Sequence, residues 1–267
     1  MRNCNAKIRC VIQAALLVAL TASLAFAQDG GCRDLPSHSE LTVALRTVVK
    51  AQKNGGLGLN MWATLVNRDG EVCSITFTGT DRGEQWPGSR VISAQKANTA
   101  NAFSLPGLAL STANLYSAVQ PGGSLFGLQH SNPVNTQVAY FGNSKLYGQP
   151  NDPMVGQKIG GVNVFGGGLA LYNKLGKLVG AVGVSGDTSC TDHIVAWRVR
   201  HALNVDNVPA GVSPTKDDNI IHDTTVDPAT GHTTSTSGFG HPTCGAGAPA
   251  TDIANHLPKT DPIGPNP

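Results

Sequence analysis

The sequence predicts an α+β fold in which an antiparallel sheet is flanked by helices, with the element order α-β-β-α-α-β-β-α. Three observations predict it. Two pairs of segments alternate as strands do, and a short turn joins the members of each pair. Segments with helical periodicity lie before, between and after these pairs. Several of these segments begin with a capping residue, and strands joined by tight turns run antiparallel.

The first unit is a helix followed by a hairpin. Ser37-x-x-Glu40 is a capping box, and apolar residues recur at helical spacing from Leu41 to Val49. Apolar and polar side chains then alternate over residues 59–66 and again over residues 73–77. Asp69-Gly70 is the predicted turn between these two strands.

A second helix is predicted from Ser89, its N-cap, to about Phe103. Its apolar residues are spread around most of its circumference, and many of them are alanine. This pattern predicts close packing with burial on more than one side. Pro106-Gly107 ends the helix, a further short helix is predicted over residues 108–119, and residues 122–158 are predicted to be mostly loop.

The second hairpin consists of predicted strands over residues 162–172 and 178–184, with Asn173 to Gly176 as the turn. The later strand is so apolar that both of its faces should be covered. Ser189-x-x-Asp192 then caps a last helix that ends near Leu203.

Three regions are predicted along the chain. Residues 1–27 have a basic start, an apolar stretch over residues 14–22 and the cleavage pattern Ala25-Phe26-Ala27, which are the features of an export signal. The apolar stretch is shorter than the ~20 residues that a membrane span needs. Residues 28–203 form the α+β domain, and residues 204–267 are an irregular extension rich in Pro, Thr, Gly and His. The predicted location is periplasmic or secreted, without a membrane anchor after cleavage.

Composition excludes several classes of protein. Charged residues make up 13% of the 267 residues, too few for a disordered charge-rich chain or a coiled coil. Arg2, Lys7 and Arg9 lie in the predicted signal, and without them 16 basic residues remain against 17 acidic ones, a net charge of −1. A near-neutral body gives no electrostatic reason to expect nucleic acid as a partner.

Four cysteines remain after the predicted cleavage, and in an oxidising compartment they predict two disulfides with three alternative connectivities. Their positions in the sequence favour the pairs Cys32–Cys73 and Cys190–Cys244. The second pair would attach the extension to the domain. None of the four belongs to a Cys-x-x-Cys motif, which argues against a structural zinc site and a thioredoxin-type redox centre.

Motifs for nucleotide and hydrolase chemistry are incomplete. Gly55 to Gly58 lack the third glycine of a dinucleotide fingerprint, and Gly166 to Gly168 lack the lysine of a P-loop. Gly183 to Gly186 are one residue short of Gly-x-Ser-x-Gly, so Ser185 is a poor candidate nucleophile. The histidines of the extension are too widely spaced for a typical metal site and are predicted to be solvated and unliganded: His222, His232, His241 and His256.

Three ordered segments together resemble the GlcG/HbpS-like haem-binding family. They are the hairpin segment 60–70, Ser89 with the segment 94–100, and residues 160–162 followed by 179–187 and Asp192. The resemblance spans residues 41–203. It implies an antiparallel sheet flanked by helices, assembly into a homo-oligomer, and haem or a similar planar tetrapyrrole as ligand. The connection over residues 130–158 and the C-terminal extension depart from the family pattern.

A haem site requires apolar walls, an axial donor and cations for the propionates. Lys96 falls in the apolar stripe of Ile92, Thr99 and Phe103, and it matches the lysine of the family motif. Its ammonium is predicted to meet an acidic ligand in a pocket, and the alternative is a stem that snorkels along the surface. Arg90 is a second candidate for a propionate, with an ordinary solvated arginine as its alternative.

His130 and His193 are the candidate axial ligands of the iron. His130 lies in a loop that could cover a pocket, and His193 lies in the first turn of the last helix, where a neutral imidazole is favoured. A structural role is the alternative for each. Because no Cys-x-x-Cys-His motif occurs, covalent attachment is excluded and the haem is expected to bind non-covalently.

These observations predict an exported haem-binding protein that acts as a carrier, scavenger or redox sensor, and a binding protein rather than an enzyme. A periplasmic redox partner is expected for the last of these roles. Two alternatives remain open from the sequence. One is a non-catalytic accessory subunit of a periplasmic oxidoreductase, and the other is an enzyme that acts on a small organic acid.

Overall fold

The structure, a computed structural model, describes residues 31–245 and 249–264, so the predicted export signal lies outside the described residues. The helices and strands in chain order are α1 His38–Lys50, β1 Trp62–Asn67, β2 Val72–Phe77, α2 Ser89–Phe103, α3 Leu128–Ser131, α4 Thr136–Ala139, β3 Gly168–Tyr172, β4 Leu178–Ser185, α5 Ser189–Ala202, β5 Thr224–Val226, β6 Thr233–Ser235 and α6 Ala250–Thr260.

Four strands form the central sheet in the order β2-β1-β4-β3, and every neighbouring pair is antiparallel. The predicted hairpins are its two halves, and β1 and β4 join them at the centre. In this register Ala63 faces Val184 and Thr64 faces Gly183. The predicted α+β class with an antiparallel sheet flanked by helices is confirmed.

The two faces of the sheet are covered by different helices. Alternate residues of a strand point to opposite faces, and Leu65 and Val182 pack against α1 and α5 in one core, together with Ile194. Val66 and Ala181 belong to the other core, which α2 covers with its alanines. Both faces of β4 are therefore covered, as its apolar sequence predicts.

Glycines bring α2 unusually close to the sheet. A Cβ atom added to Gly183 would collide with the carbonyl oxygen of Ser93, and one added to Gly168 would collide with that of Lys96. The helix backbone thus packs directly on the strands, and the alanines of α2 leave room for this approach. Burial of α2 on more than one side is confirmed, since Ala94, Ala97 and Ala100 are all fully buried.

Residues 108–119 differ from the prediction of a short α-helix. They form two 3₁₀ turns, Thr112–Leu115 and Ser117–Val119. Ser111 and Asn114 cap each other at the first turn, and the Asn114 amide also donates to the carbonyl of Asn219. Short polar side chains that bond to nearby backbone groups compete with continuous α-helix, which explains the difference.

The prediction of an irregular C-terminal extension is wrong for part of its length. It contains the small antiparallel ribbon β5–β6 and the helix α6, which packs on α5. Ala254 and Leu257 of α6 are fully buried, and the indole of Trp197 donates to the carbonyl of Asp261 at 2.7 Å. Pro258 lies inside α6 and hides its short helical period from a sequence analysis.

Both favoured disulfides are confirmed. Cys32–Cys73 joins the segment before α1 to β2, and Cys190–Cys244 joins α5 to the extension. Over the residues that the structure describes, no helix combines the length and apolarity required to span a bilayer.

The seating of α2 on β4 can be tested with Gly183→Ala. The added methyl group forces α2 away from the sheet, so we expect the free energy of unfolding to fall by about 1–3 kcal/mol. Urea unfolding of the disulfide-bonded protein measures the change. Gly107→Ala is the control, because its Cβ meets no atom within 4 Å and its effect should stay within about 0.5 kcal/mol. Equal stability of the two variants would contradict direct contact between α2 and β4.

Candidate functional site

Lys96 forms a buried ion pair with Asp192. Its side chain is 1% exposed, and its ammonium donates to the Asp192 carboxylate at 2.6 Å and to the carbonyl of Val184 at 3.1 Å. The pair joins α2 to α5 beside the end of β4. The ammonium therefore faces neither bulk water nor an open cavity in this structure, which differs from both readings of the sequence.

The carboxylate of Asp192 is held by further donors. The backbone amides of Gly186 and Asp187 donate to its other oxygen at 3.1 and 2.9 Å. Burial raises the pKa of Asp192 to about 6, although the Lys96 ammonium and the amide donors act to lower it. Burial likewise lowers the pKa of Lys96, against the attraction of Asp192. This network fixes the turn between β4 and α5.

Arg90 also meets an internal carboxylate. It is 2% exposed, and two of its nitrogens donate to the two oxygens of Asp152, with the Nε contact at 2.9 Å. A third nitrogen donates to the carbonyl of Ala139 at 2.8 Å, and the guanidinium lies 3.6 Å from the ring centre of Tyr147. Arg90 is thus a buried arginine that anchors the long connection between α2 and β3, and the solvated alternative does not describe it.

The other predicted site residues lie apart. The Thr99 hydroxyl donates to the carbonyl of Gln95, and Phe103 is partly buried in a small apolar cluster. His130 is exposed on α3. His193 is fully buried on α5, where burial lowers its pKa to about 3 and keeps the imidazole neutral.

Lys96 and His193 approach the same segment of chain. A Cβ atom on Gly167 would lie 3.2 Å from the Lys96 ammonium, and one on Gly166 would lie 3.0 Å from the His193 Cβ. The Nε2 atom of His193 is within hydrogen-bonding distance of Asn219 and of the Ile220 amide. The interior at this point is filled by side chains, and Arg90 alone of the six predicted residues lines the cavity described next.

A cavity of about 450 Å³ opens beside the start of α2, and we name it the aromatic cavity. Most of its larger side chains are aromatic or apolar, and its charged groups lie at the rim or are paired. Its lining consists of Trp62, Asp81, Arg82, Gly83, Pro87, Gly88, Arg90, Val91, Tyr140, Ser144 and Tyr147.

The floor of the aromatic cavity is rigid. The indole nitrogen of Trp62 donates to the carbonyl of Trp86 at 3.1 Å, and its ring packs edge-on against Phe77 with 5.0 Å between centres. The hydroxyl of Tyr147 donates to the backbone carbonyls of Tyr140 and Phe141 at 3.2 and 3.3 Å. The rings of Trp62 and Tyr147 are therefore held in place before any ligand arrives.

The rim of the aromatic cavity carries one loosely held cation. A guanidinium nitrogen of Arg82 lies 3.8 Å from the Asp81 carboxylate, and their side chains are 43% and 67% exposed. Water screens such a pair, so Arg82 is free to change partner at little cost. Tyr140 is 66% exposed at the same rim. The described lining includes no histidine, cysteine or methionine.

The sequence analysis missed Tyr140 and Tyr147 as site residues because they lie in the connection it treated as loop. The available signal was the presence of Tyr140-Phe141 and Tyr147 in a segment otherwise rich in Asn and Gly. A polar surface loop has little reason to carry so many aromatic side chains unless they pack on something.

The prediction of solvated histidines in the extension is wrong for two of the four. His241 is 3% exposed, and His222 is half-buried beside the Cys190–Cys244 disulfide. His232 and His256 are exposed, as predicted. The difference arises because α6 packs on α5 and the chain between them is folded over the domain.

The comparison with protein families identifies one match. The sequence model described as "Haem degrading protein HbpS-like" matches residues 39–200. No curated protein matches the chain.

Several solved structures are similar. A PduOC–haem complex shares 25% identity over 64% of this chain and 96% of its own, with a TM-score of 0.44. Protein ORFY of Klebsiella pneumoniae shares 24% identity over 62% of this chain and 86% of its own, with a TM-score of 0.42. A double mutant of Streptomyces reticuli HbpS shares 19% identity over 66% and 94%, with a TM-score of 0.38.

The Lys96–Asp192 pair predicts a large effect of Lys96→Met. This change leaves the Asp192 carboxylate buried without its cation, so we expect the free energy of unfolding to fall by about 3–5 kcal/mol in urea unfolding. Adding Asp192→Asn should recover most of the loss, because the amide oxygen still accepts from Gly186 and Asp187.

Lys177→Met is the matched control for this experiment. Lys177 also meets a carboxylate, that of Asp34 at 3.3 Å, but both side chains are about half exposed or more. Its effect should stay within about 1 kcal/mol. If Lys96→Met were as mild as the control, the buried pair would not hold α2 to α5.

Proposed function

This chain belongs to the HbpS-like family, and from that premise we propose that it binds haem non-covalently in the aromatic cavity. The observation that carries the proposal is a cavity lined by the aromatic rings of Trp62, Tyr140 and Tyr147, with the weakly paired guanidinium of Arg82 at its rim. Its volume lies within the ~300–1,000 Å³ of small-molecule sites. Bound haem would supply a redox-active iron and an intense absorption band.

The apolar walls suit a flat, oily ligand. Trp62, Val91, Tyr140 and Tyr147 all line the cavity. Aromatic side chains bury large areas with little loss of side-chain freedom when they are already held in place, as Trp62 and Tyr147 are. Because the cavity opens to solvent beside the exposed Tyr140, one edge of a large ligand would stay in contact with water.

Charge at the rim suits the propionates. Arg82 would exchange the exposed carboxylate of Asp81 for a propionate, at a cost that water screening keeps small. Arg90 is already paired with Asp152, so it offers no free charge to a propionate. Its guanidinium instead packs against the ring of Tyr147 and supports that side of the cavity. The role of Arg90 in the proposal is therefore to build the wall.

Tyr140 is the candidate axial donor in this cavity. A tyrosine oxygen is an established type of haem ligand. The Tyr147 hydroxyl is occupied with two backbone carbonyls, whereas the Tyr140 side chain is exposed at the rim. His130 and His193 stay predictions as axial ligands, and neither lies in the lining of the aromatic cavity.

The biological role proposed is that of an exported carrier, scavenger or redox sensor for haem, assembled as a homo-oligomer. Two disulfides in one chain are typical of oxidising compartments, which supports export. A redox sensor would pass its signal to a periplasmic redox partner. The family description also names haem degradation, and loss of haem absorption on addition of a reductant in the presence of dioxygen would reveal that activity.

Titration of residues 28–267 with hemin tests the proposal. We expect a shifted Soret band that saturates at one equivalent per chain. Arg82→Ala should weaken binding about tenfold, the equivalent of one charge-assisted contact. Tyr140→Phe should keep the bound haem but change the spectrum of its ferric iron, because the donor oxygen is removed.

Controls separate the site from the ligand. Phe165→Ala removes an aromatic side chain that is 48% exposed and outside the cavity, and it should leave binding unchanged. If the axial signature depends on His130 and not on Tyr140, the proposed donor is wrong although haem binds. The absence of any saturable Soret shift would overturn haem binding itself.

A further inference from the structure

Three potential metal ligands lie close together beside the Cys190–Cys244 disulfide. One ligand atom each from Cys190, His222 and His241 lie within 4.8 Å of one another. The Nε2 atom of His222 is 3.5 Å from the sulfur of Cys190. The sulfur of Cys190 is in turn bonded to the sulfur of Cys244. Two sulfurs and two imidazoles are the ligand set of tetrahedral zinc sites.

The imidazole of His241 is oriented as in metal sites. Its Nδ1 atom is 2.7 Å from the carbonyl oxygen of Pro242. Because a carbonyl only accepts, Nδ1 carries the proton and Nε2 presents a lone pair. Ligating histidines almost always donate their second nitrogen to such an outer partner.

His222 has the same arrangement. Its Nδ1 atom is 2.8 Å from the side-chain oxygen of Asn255, and its Nε2 atom faces the sulfur of Cys190. Asn255 lies on α6, so the helix that covers α5 also orients this histidine. Each imidazole is thus oriented by its own acceptor, and the Nε2 atom of His222 faces the disulfide.

Cys190 places the site at the first turn of α5. It is fully buried and is the second residue of this helix of 14 residues. The backbone amide of Cys190 also donates to the sulfur of Cys244 at 3.1 Å.

We propose that the Cys190–Cys244 disulfide closes a latent metal site, and that its reduction allows Cys190, Cys244, His222 and His241 to bind one Zn²⁺ ion. A dithiol reductant supplies two electrons and two protons, so the S–S bond breaks, two thiols form and the dithiol becomes a disulfide. Binding of Zn²⁺ then releases the two thiol protons. In the oxidised protein the Nε2 atom of His241 lies 2.8 Å from the Ser189 hydroxyl, and the zinc ion would take the place of that hydroxyl as the partner of Nε2.

This site is independent of the haem proposal. Three of its ligands, His222, His241 and Cys244, lie beyond the family match that ends at residue 200. None of the four lines the aromatic cavity. The function of the extension would be to add a thiol-controlled metal site to the domain.

Cobalt titration of residues 28–267 tests the proposal, with and without prior reduction by a phosphine. We expect the reduced protein to bind one equivalent of Co²⁺ with a thiolate-to-cobalt charge-transfer band and the visible bands of tetrahedral cobalt. Zn²⁺ should displace the cobalt. The oxidised protein should show neither band, because its sulfurs are bonded to each other.

Variants assign the ligands. His222→Ala is the primary variant because His222 is only half-buried, and it should weaken cobalt binding at least about tenfold, as should His241→Ala. His232→Ala and His256→Ala change exposed histidines of the same extension and should have no effect. Cys32→Ser with Cys73→Ser should keep the charge-transfer band, which places the thiolates at Cys190 and Cys244.

Several results would overturn the proposal. One is a reduced protein that keeps its near-ultraviolet circular dichroism but develops no thiolate band with cobalt. Another is unchanged binding by His222→Ala. Unfolding on reduction in the presence of cobalt would also overturn it, because the folded extension must hold the four ligands.

Discussion

The rest of the structure depends on the buried ion pair between Lys96 and Asp192. Helices α2 and α5 cover opposite faces of the sheet, and the pair connects them beside the end of β4. A salt bridge of this length requires α2 to lie close to the sheet and to the start of α5. Glycines in and beside the strands provide the space for this approach. Gly167 leaves room for the ammonium, and Gly183 leaves room for the helix backbone. Because desolvation offsets much of the attraction in such a buried pair, the loss of one partner costs more free energy of unfolding than the intact pair contributes.

The first turn of the same helix helps to build the aromatic cavity. Arg90 lies six residues before Lys96, and its pair with Asp152 holds the long connection against α2. The connection in turn contributes Tyr140 and Tyr147 to the lining that Trp62 shares. The cavity therefore exists only when α2 is seated on the sheet, since the wall that carries Arg90 moves with the helix. A flat ligand would bind to a surface that the fold has already ordered.

Local sequence patterns were sufficient to predict most of the fold. They could not predict ion pairs between residues that are far apart in the sequence. The capping box at Ser37 and the alternation in both hairpins depend on residues a few positions apart, and those elements were predicted. The partner of Arg90 is 62 residues away and that of Lys96 is 96 residues away. Periodic patterns in a sequence contain no information on pairs that are so far apart. The sequence could therefore identify Arg90 and Lys96 as unusual cations on α2, but it could not identify the carboxylates that neutralise them. Helix α6 was missed for a different reason, because Pro258 breaks its pattern.

The extension is held to the domain by more than its disulfide. Ala254 and Leu257 are fully buried in the core that contains α5, the Asn114 amide donates to the carbonyl of Asn219 at 3.0 Å, and the Trp197 indole donates to the carbonyl of Asp261. These contacts do not involve sulfur and remain when the disulfide is opened. The two cysteines would consequently stay close together after reduction, with both imidazoles still oriented by Pro242 and Asn255. If the disulfide alone held the extension, reduction would release it. Because apolar packing also holds the extension, reduction would instead leave two thiols close to the two imidazoles, where they can bind a metal ion.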